Sequence, residues 1–162
     1  MPNDAKSPPA VAPVPPARGA LPYLTAKGAS DAIAFYQQVF GAELQFRIDD
    51  PSGAVMHAEL SVGPAHFMIT EERPQYGSLG PKTIGGSPVT LVVYVADADA
   101  VVAKALKAGA TPTMPVENQF WGDRAGGVVD PFGHHWMVAT QIEELTPQEV
   151  TRRSRALFSK GA

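Results

Sequence analysis

The sequence predicts an α+β fold made of two tandem βαβββ modules, and three observations carry that prediction. The chain reads twice: Leu21–Glu43 aligns without a gap on Val89–Thr111, with Asp31-Ala32 meeting Asp99-Ala100 and Gly41-Ala42 meeting Gly109-Ala110. Each copy opens as a strand and continues as a helix that ends on glycine. The rest of each copy alternates as strands and closes on a hairpin.

Taken in order, residues 1–18 form a Pro-rich arm, with Pro2, Pro8, Pro9, Pro13, Pro15 and Pro16. A disordered or polyproline-like segment is expected there. It has neither the basic start nor the apolar core of a signal peptide. Module one spans 19–71. Leu21–Ala26 is its first strand. Ser30 or Asp31 is positioned to cap the next element, a helix whose stripe is Ile33, Tyr36, Val39 and Phe40. Leu44, Phe46 and Ile48 then alternate with polar residues, as do Met56, Ala58, Leu60 and Val62. Gly63-Pro64 turns the chain into a last strand, Ala65–Thr70. The Gly/Pro-rich connection 72–88 is long for a plain linker, which predicts a mobile flap. Module two spans 89–142. It has a β-branched strand at Val89–Val95, a helix capped by Asp97 or Asp99 with Ala98, Val101, Val102, Ala105 and Leu106 as its stripe, and a closing hairpin around Pro131-Phe132-Gly133. Residues 143–162 hold a C-terminal helix. Thr146-Pro147-Gln148-Glu149 is its capping box, and Val150, Leu157 and Phe158 share one face. That helix either docks on its own domain or on a partner.

Composition removes several functions. Of 162 residues 44% are apolar and 18% charged, with a formal charge of −3 and no cysteine. No nucleic-acid or anionic-membrane partner is expected from that charge. Without cysteine there is neither a disulfide scaffold nor a thiolate metal site. No apolar run reaches the roughly 18 residues of a membrane span. A cytoplasmic location is expected. Nucleotide-binding and hydrolase motifs are absent, and covalent catalysis has no cysteine or glycine-flanked serine nucleophile.

Three local signatures sharpen the fold. They are Ala34-Phe35-Tyr36 leading into Val39-Phe40-Gly41-Ala42-Glu43, then Asp130-Pro131-Phe132-Gly133-His134, and Trp121-Gly122-Asp123-Arg124. Together they resemble the vicinal-oxygen-chelate superfamily of glyoxalases, bleomycin-resistance proteins and extradiol dioxygenases, and within it the PhnB-like subgroup, over about Ala20 to Gln141. The resemblance implies strands forming a cupped mixed sheet around a cleft, a homodimer, and four metal ligands, one from the first and one from the last strand of each module. Carried over, those positions fall on Leu21, Met68, Thr90 and Met137. None suits zinc, manganese or iron, which take imidazole or carboxylate ligands. No metal and no cofactor are therefore expected.

Strand alternation supplies the candidate site. If Met56, Ala58, Leu60 and Val62 lie under the helix, then His57, Glu59 and Ser61 point the other way. Pairing across Gly63-Pro64 sets His66 opposite Ser61 and Met68 opposite Glu59. His57 and Glu59 are the candidate bases. His135 is expected to share the cleft side of its strand with Met137. Trp121 offers a stacking surface and Arg124 a planar fork for a carboxylate or phosphate. Tyr23, Phe35, Tyr94 and Phe120 are expected in the core, and His134 in a structural turn. The ligand-binding set is thus His57, Glu59, Met68, Trp121, Arg124, His135 and Met137, and the expected partner is a small organic molecule. The alternatives are a metal-dependent lyase, isomerase or dioxygenase with shifted ligands such as His57, Glu59 and His66, a metal-free enzyme with His57 or Glu59 as base, and a structural dimer module.

Overall fold

A computed structural model describes residues 19–159, so the Pro-rich arm lies outside the described residues. Module one runs β1 (Tyr23–Ala26), α1 (Ala29–Phe40), β2 (Glu43–Asp49), β3 (Val55–Val62) and β4 (Ala65–Glu71). A connection with a 3-10 turn (Pro74–Tyr76) and a short α2 (Pro81–Ile84) leads to module two: β5 (Thr90–Tyr94), α3 (Ala98–Lys107), β6 (Thr111–Asn118), β7 (Asp123–Val129) and β8 (His135–Gln141). The chain then forms α4 (Pro147–Phe158). The strands make two four-stranded mixed sheets of the same topology, β1-β4-β3-β2 and β5-β8-β7-β6. In each, the first strand runs parallel to the last. The predicted βαβββ repeat is therefore the architecture.

The two helices start differently. Asp97 caps α3 by accepting from the Ala100 N–H at 3.0 Å. In α1 neither Ser30 nor Asp31 is the cap. Gly28 holds that place in the left-handed region, at φ 88°, where a side chain is strained. The Gly28 and Ala29 N–H groups both donate to the Glu71 carboxylate at 2.8 Å. Register explains this: Ala26 pairs with Glu71, which sets the carboxylate beside the positive end of the helix. Gly41 ends α1 as predicted, at φ 67°.

Two irregularities rearrange the β2–β3 pair. In β3, Met56 is the extra residue between the Val55–Asp49 and His57–Ile48 pairs. It bulges into solvent, and Val55 takes the core place that alternation gives to Met56. A second shift, between Leu44 and Phe46, pairs Phe46 with Glu59. Phe46 and Ile48 consequently share the face of Glu59 and His57.

One apolar cluster spans both modules, built on Tyr36, Phe40, Leu60, Ile69, Val128, Trp136 and Val138. Its junction is aromatic. The Tyr36 ring lies 5.3 Å from Trp136, and Phe40 lies 4.6 Å from Trp136. Buried Asp130 ties it together, accepting from the Tyr36 hydroxyl at 2.7 Å, the Trp136 indole at 2.9 Å and the Phe132 and His134 N–H groups at 2.9 Å. Module one's helix is thus bolted to module two's closing turn, and His134 is structural as expected.

The connection predicted as a flap is clamped at several points. Glu72 accepts from the Gly80 N–H at 2.7 Å, Arg73 pairs with Asp50 at 2.9 Å, and Arg73 bridges to Ser78. Its polar residues, not its length, decide its behaviour. Thr146 caps α4 as predicted, and Arg153 ties the helix to Glu143 at 2.8 Å. No residue of α4 is buried, and Leu157 and Phe158 stay exposed.

Candidate functional site

Each sheet turns one face to its helix and leaves the other open. On sheet one the open face carries a cross-strand row, Tyr23–Met68–Glu59–Phe46. The Glu59–Met68 and Ser61–His66 pairs are those predicted from the two-residue turn. His57 stands one step along β3, opposite Ile48.

Tyr23 belongs to this face, not to the core as expected, and so does Tyr94 on sheet two; both are exposed. The reason is alternation in short first strands: Leu24 and Ala26 take the buried side of β1, and Val93 that of β5. Phe35 is buried as expected, and Phe120 is half-buried.

The Tyr23 hydroxyl lies 2.8 Å from His57 Nδ1, and His57 Nε2 lies 3.6 Å from a Glu59 oxygen. With Tyr23 donating to Nδ1, the ring turns an Nε2–H rather than a lone pair toward the Glu59 carboxylate, the arrangement that suits both neighbours. The 3.6 Å gap is longer than a hydrogen bond. The side chains of His57 and Glu59 are only 25% and 21% exposed. Around them Tyr23, Phe46 and Ile48 are 54%, 49% and 45% exposed. His57 and Glu59 thus lie partly covered beside exposed apolar side chains, and Phe46 lies near His57 with ring centroids 6.1 Å apart. Tyr23, Phe46 and Ile48 are the residues sequence reasoning missed; the Tyr23/Thr25 against Leu24/Ala26 alternation was the available signal for the first.

Sheet two has the equivalent row Val92–Met137–Gly127–Met114. His135 pairs with Thr90 and shares a side with Met137, as predicted. Thr90, Met114, Gly127, His135 and Met137 line a hollow of about 150 Å³. A larger groove of about 280 Å³ lies between β1 and β5, lined by Tyr23, Thr25, Leu79, Ile84, Leu91 and His134 among others. Neither wall includes His57 or Glu59.

Trp121 and Arg124 have partners of their own. The Trp121 indole donates to Asp123 at 2.9 Å, beside the Tyr94 hydroxyl at 3.0 Å. The Tyr94 bond to Asp123 raises its phenol above the ordinary value, with a smaller push from burial. Arg124 makes a two-pronged pair with Asp99, at 2.5 and 2.7 Å, and donates to Asn118 at 3.0 Å. Its register partner Thr140 bonds the α3 N-terminus, so Arg124 lies on the helix side of sheet two. The fork expected for a ligand is filled from within the chain.

The metal test fails on donor chemistry. Leu21, Met68, Thr90 and Met137 offer an alkyl group, two thioethers and a hydroxyl, not the imidazoles and carboxylates that zinc, iron or manganese require. Among the described residues no three His, Asp or Glu side chains are grouped to hold a metal ion, so His57, Glu59 and His66 do not form the shifted ligand set. No helix among them is long and apolar enough to cross a membrane.

Two βαβββ modules sharing a core, each with one open sheet face, define the class. The chain belongs to the glyoxalase/bleomycin resistance protein/dioxygenase superfamily, whose family model matches residues 21–138. An uncharacterized protein of Mycobacterium bovis, Mb0911c, is 39% identical over 143 residues, covering 86% of this chain and 92% of that protein. The solved structure of the Arabidopsis thaliana gene product At5g48480 is 30% identical, with a TM-score of 0.61 over 75% of this chain and 98% of its own. A PhnB protein from Bacillus cereus, described as a putative 3-demethylubiquinone-9 3-methyltransferase, shares the fold at 19% identity, with a TM-score of 0.60 over 76% of this chain and 99% of its own.

Proposed function

We propose that this protein binds a small, flat organic molecule without a metal, on the open face of sheet one. The observation that carries the reading is the Tyr23–His57–Glu59 group beside the exposed Phe46 and Ile48 side chains. An apolar wall with a few convergent polar groups is the usual build of a ligand site. Met68 adds an adaptable thioether to the same row.

Ligand binding to the native state alone raises the melting temperature. A thermal-shift screen of planar aromatics is expected to give hits that Phe46→Ala weakens. A screen with no hits, or hits indifferent to Phe46→Ala, overturns the site. Untagged protein equilibrated with zinc, manganese or iron and then dialysed is expected to retain none stoichiometrically. Retention of one equivalent, lost with His57→Ala, overturns the metal-free reading.

The proposal extends to a homodimer. Val92 and Tyr94 on sheet two are exposed in a single chain, as are Leu157 and Phe158 of α4. Exposed apolar faces of this kind mark interaction surfaces. A second copy related by a two-fold axis covers the equivalent faces of both chains at once. Sedimentation velocity is expected to show a dimer; a monomer at tens of micromolar refutes it. A second reading, a metal-free enzyme, takes Glu59 as its base, a carboxylate on the open face whose side chain is 21% exposed.

A further inference from the structure

His57 and Glu59 have a polarity that their apolar neighbours do not explain. Nε2–H of His57 is a donor and the Glu59 carboxylate an acceptor, 3.6 Å apart and facing one another without a direct hydrogen bond. A carboxylate offers about four lone-pair sites, so Glu59 can take a further donor beside any partner it has. A hydroxyl bridges such a pair with a single atom, its oxygen accepting from Nε2–H while its proton goes to Glu59. An ether accepts but cannot donate, and an anionic oxygen meets the carboxylate charge. The neighbours meanwhile select a flat apolar body, through the exposed Phe46 ring, Ile48 and the Tyr23 ring edge-on to His57 at 5.4 Å.

We infer that the ligand class is a neutral hydroxyaromatic, its hydroxyl read by His57 and Glu59, with Tyr23 as the positioning residue that holds His57 in the Nε2–H form. The inference rests on the binding reading above and adds the chemistry of the ligand to it. It assigns the three polar residues separate tasks. Glu59 accepts from the ligand, His57 donates, and Tyr23 fills Nδ1 so that the ring keeps Nε2–H toward Glu59.

The test compares 2-naphthol with 2-methoxynaphthalene, which has the same rings and no donor, by fluorescence titration of the full chain. Wild-type protein is expected to bind the naphthol on the order of tenfold more tightly, the effect of one hydrogen bond to a charged group. His57→Phe keeps aromatic area and is expected to bind both compounds alike. Glu59→Gln serves the same comparison if that variant does not fold, and is expected to reduce the preference. Ring nitrogen NMR is expected to show His57 as Nε2–H in wild type and as a mixture in Tyr23→Phe, with the melting temperature nearly unchanged. Equal affinity for the two probes in wild type, or a preference that survives His57→Phe, overturns the hydroxyl reading and leaves the binding site standing. An unchanged tautomer in Tyr23→Phe overturns the positioning role. Binding of neither probe overturns both this inference and the function it rests on.

Discussion

The two sheets share topology and register, yet matching rows carry different chemistry. Tyr23–Met68–Glu59–Phe46 crosses sheet one where Val92–Met137–Gly127–Met114 crosses sheet two. The thioether is common to both; Gly127 stands where sheet one has Glu59. Module two spends its polar side chains on bracing. Asp130 binds Tyr36 and Trp136, Asp123 binds Tyr94 and Trp121, and Asp99 binds Arg124. Module one leaves His57 and Glu59 on its open face. On the proposed reading the duplicated scaffold divides its labour, module two carrying the junction brace and module one, braced by Glu71 and Arg73, also presenting His57 and Glu59.

The strongest way to break this division is Trp136→Ala. The indole is buried and contacts Tyr36, Phe40 and Phe67 across the module junction. Removing a core aromatic costs roughly 3–5 kcal/mol. Urea unfolding monitored by circular dichroism and tyrosine fluorescence is expected to show one transition, shifted for both modules. Two separate transitions would mean that the modules are independent and that the brace is not a brace.

Asp130 makes the same point through pH. Burial pushes its carboxyl up, but hydrogen bonds from His134, Trp136 and Tyr36 outweigh this and hold it below the ordinary 3.8. Its contribution is therefore complete above 3.8 and is lost as pH falls below that value toward the folded-state pKa. Asp130→Asn cannot accept as a charge and strands part of the cluster, at about 2–3 kcal/mol. The variant's stability is expected to fall less steeply than wild type's below about pH 4. Parallel acid profiles would remove Asp130 from the brace.

Much of this is legible in the sequence because turns and helix stops are local. Gly41, the Gly63-Pro64 hairpin, the Thr146 cap and the Asp97 cap each depend on residues within a few positions. The pairing of Met68 with Glu59 comes from the turn alone. Long-range features are not legible. Glu71 caps a helix from 42 residues along the chain, and the two irregular places in the β2–β3 pair turn Phe46 and Ile48 toward His57. Tyr23 reads as core because tyrosine is largely apolar; its hydroxyl partner, His57, lies 34 residues along the chain. Arg124 looks free for the same reason, since Asp99 is remote in sequence.

Gly127 tests the difference between the rows directly. A Cβ there would sit 2.5 Å from Thr113 Oγ1 and 3.1 Å from Met114 Cβ, so β6 is pressed against β7 where sheet one has room for a carboxylate. Gly127→Ala is expected to cost about 1–2 kcal/mol by overpacking, measured by chemical denaturation. Glu59→Ala on sheet one removes a side chain without forcing strands apart and is expected to cost less than Gly127→Ala. The reverse order would mean that sheet one's open face is the packed one, and the division of labour would fail.

The smallest effect belongs to Arg124. Its two-pronged pair with Asp99 holds the first turn of α3 to β7 and raises the guanidinium further above its ordinary value, chiefly through the Asp99 hydrogen bond. The pair is solvent-exposed, so its contribution to stability is small and shrinks with salt. Arg124→Lys keeps the charge and loses the fork. Its melting temperature is expected to drop slightly at low salt and to converge on wild type at high salt. Naphthol binding on sheet one is expected to stay unchanged. A binding defect in Arg124→Lys with intact stability would return the arginine to the ligand site, and with it module two to a share in recognition.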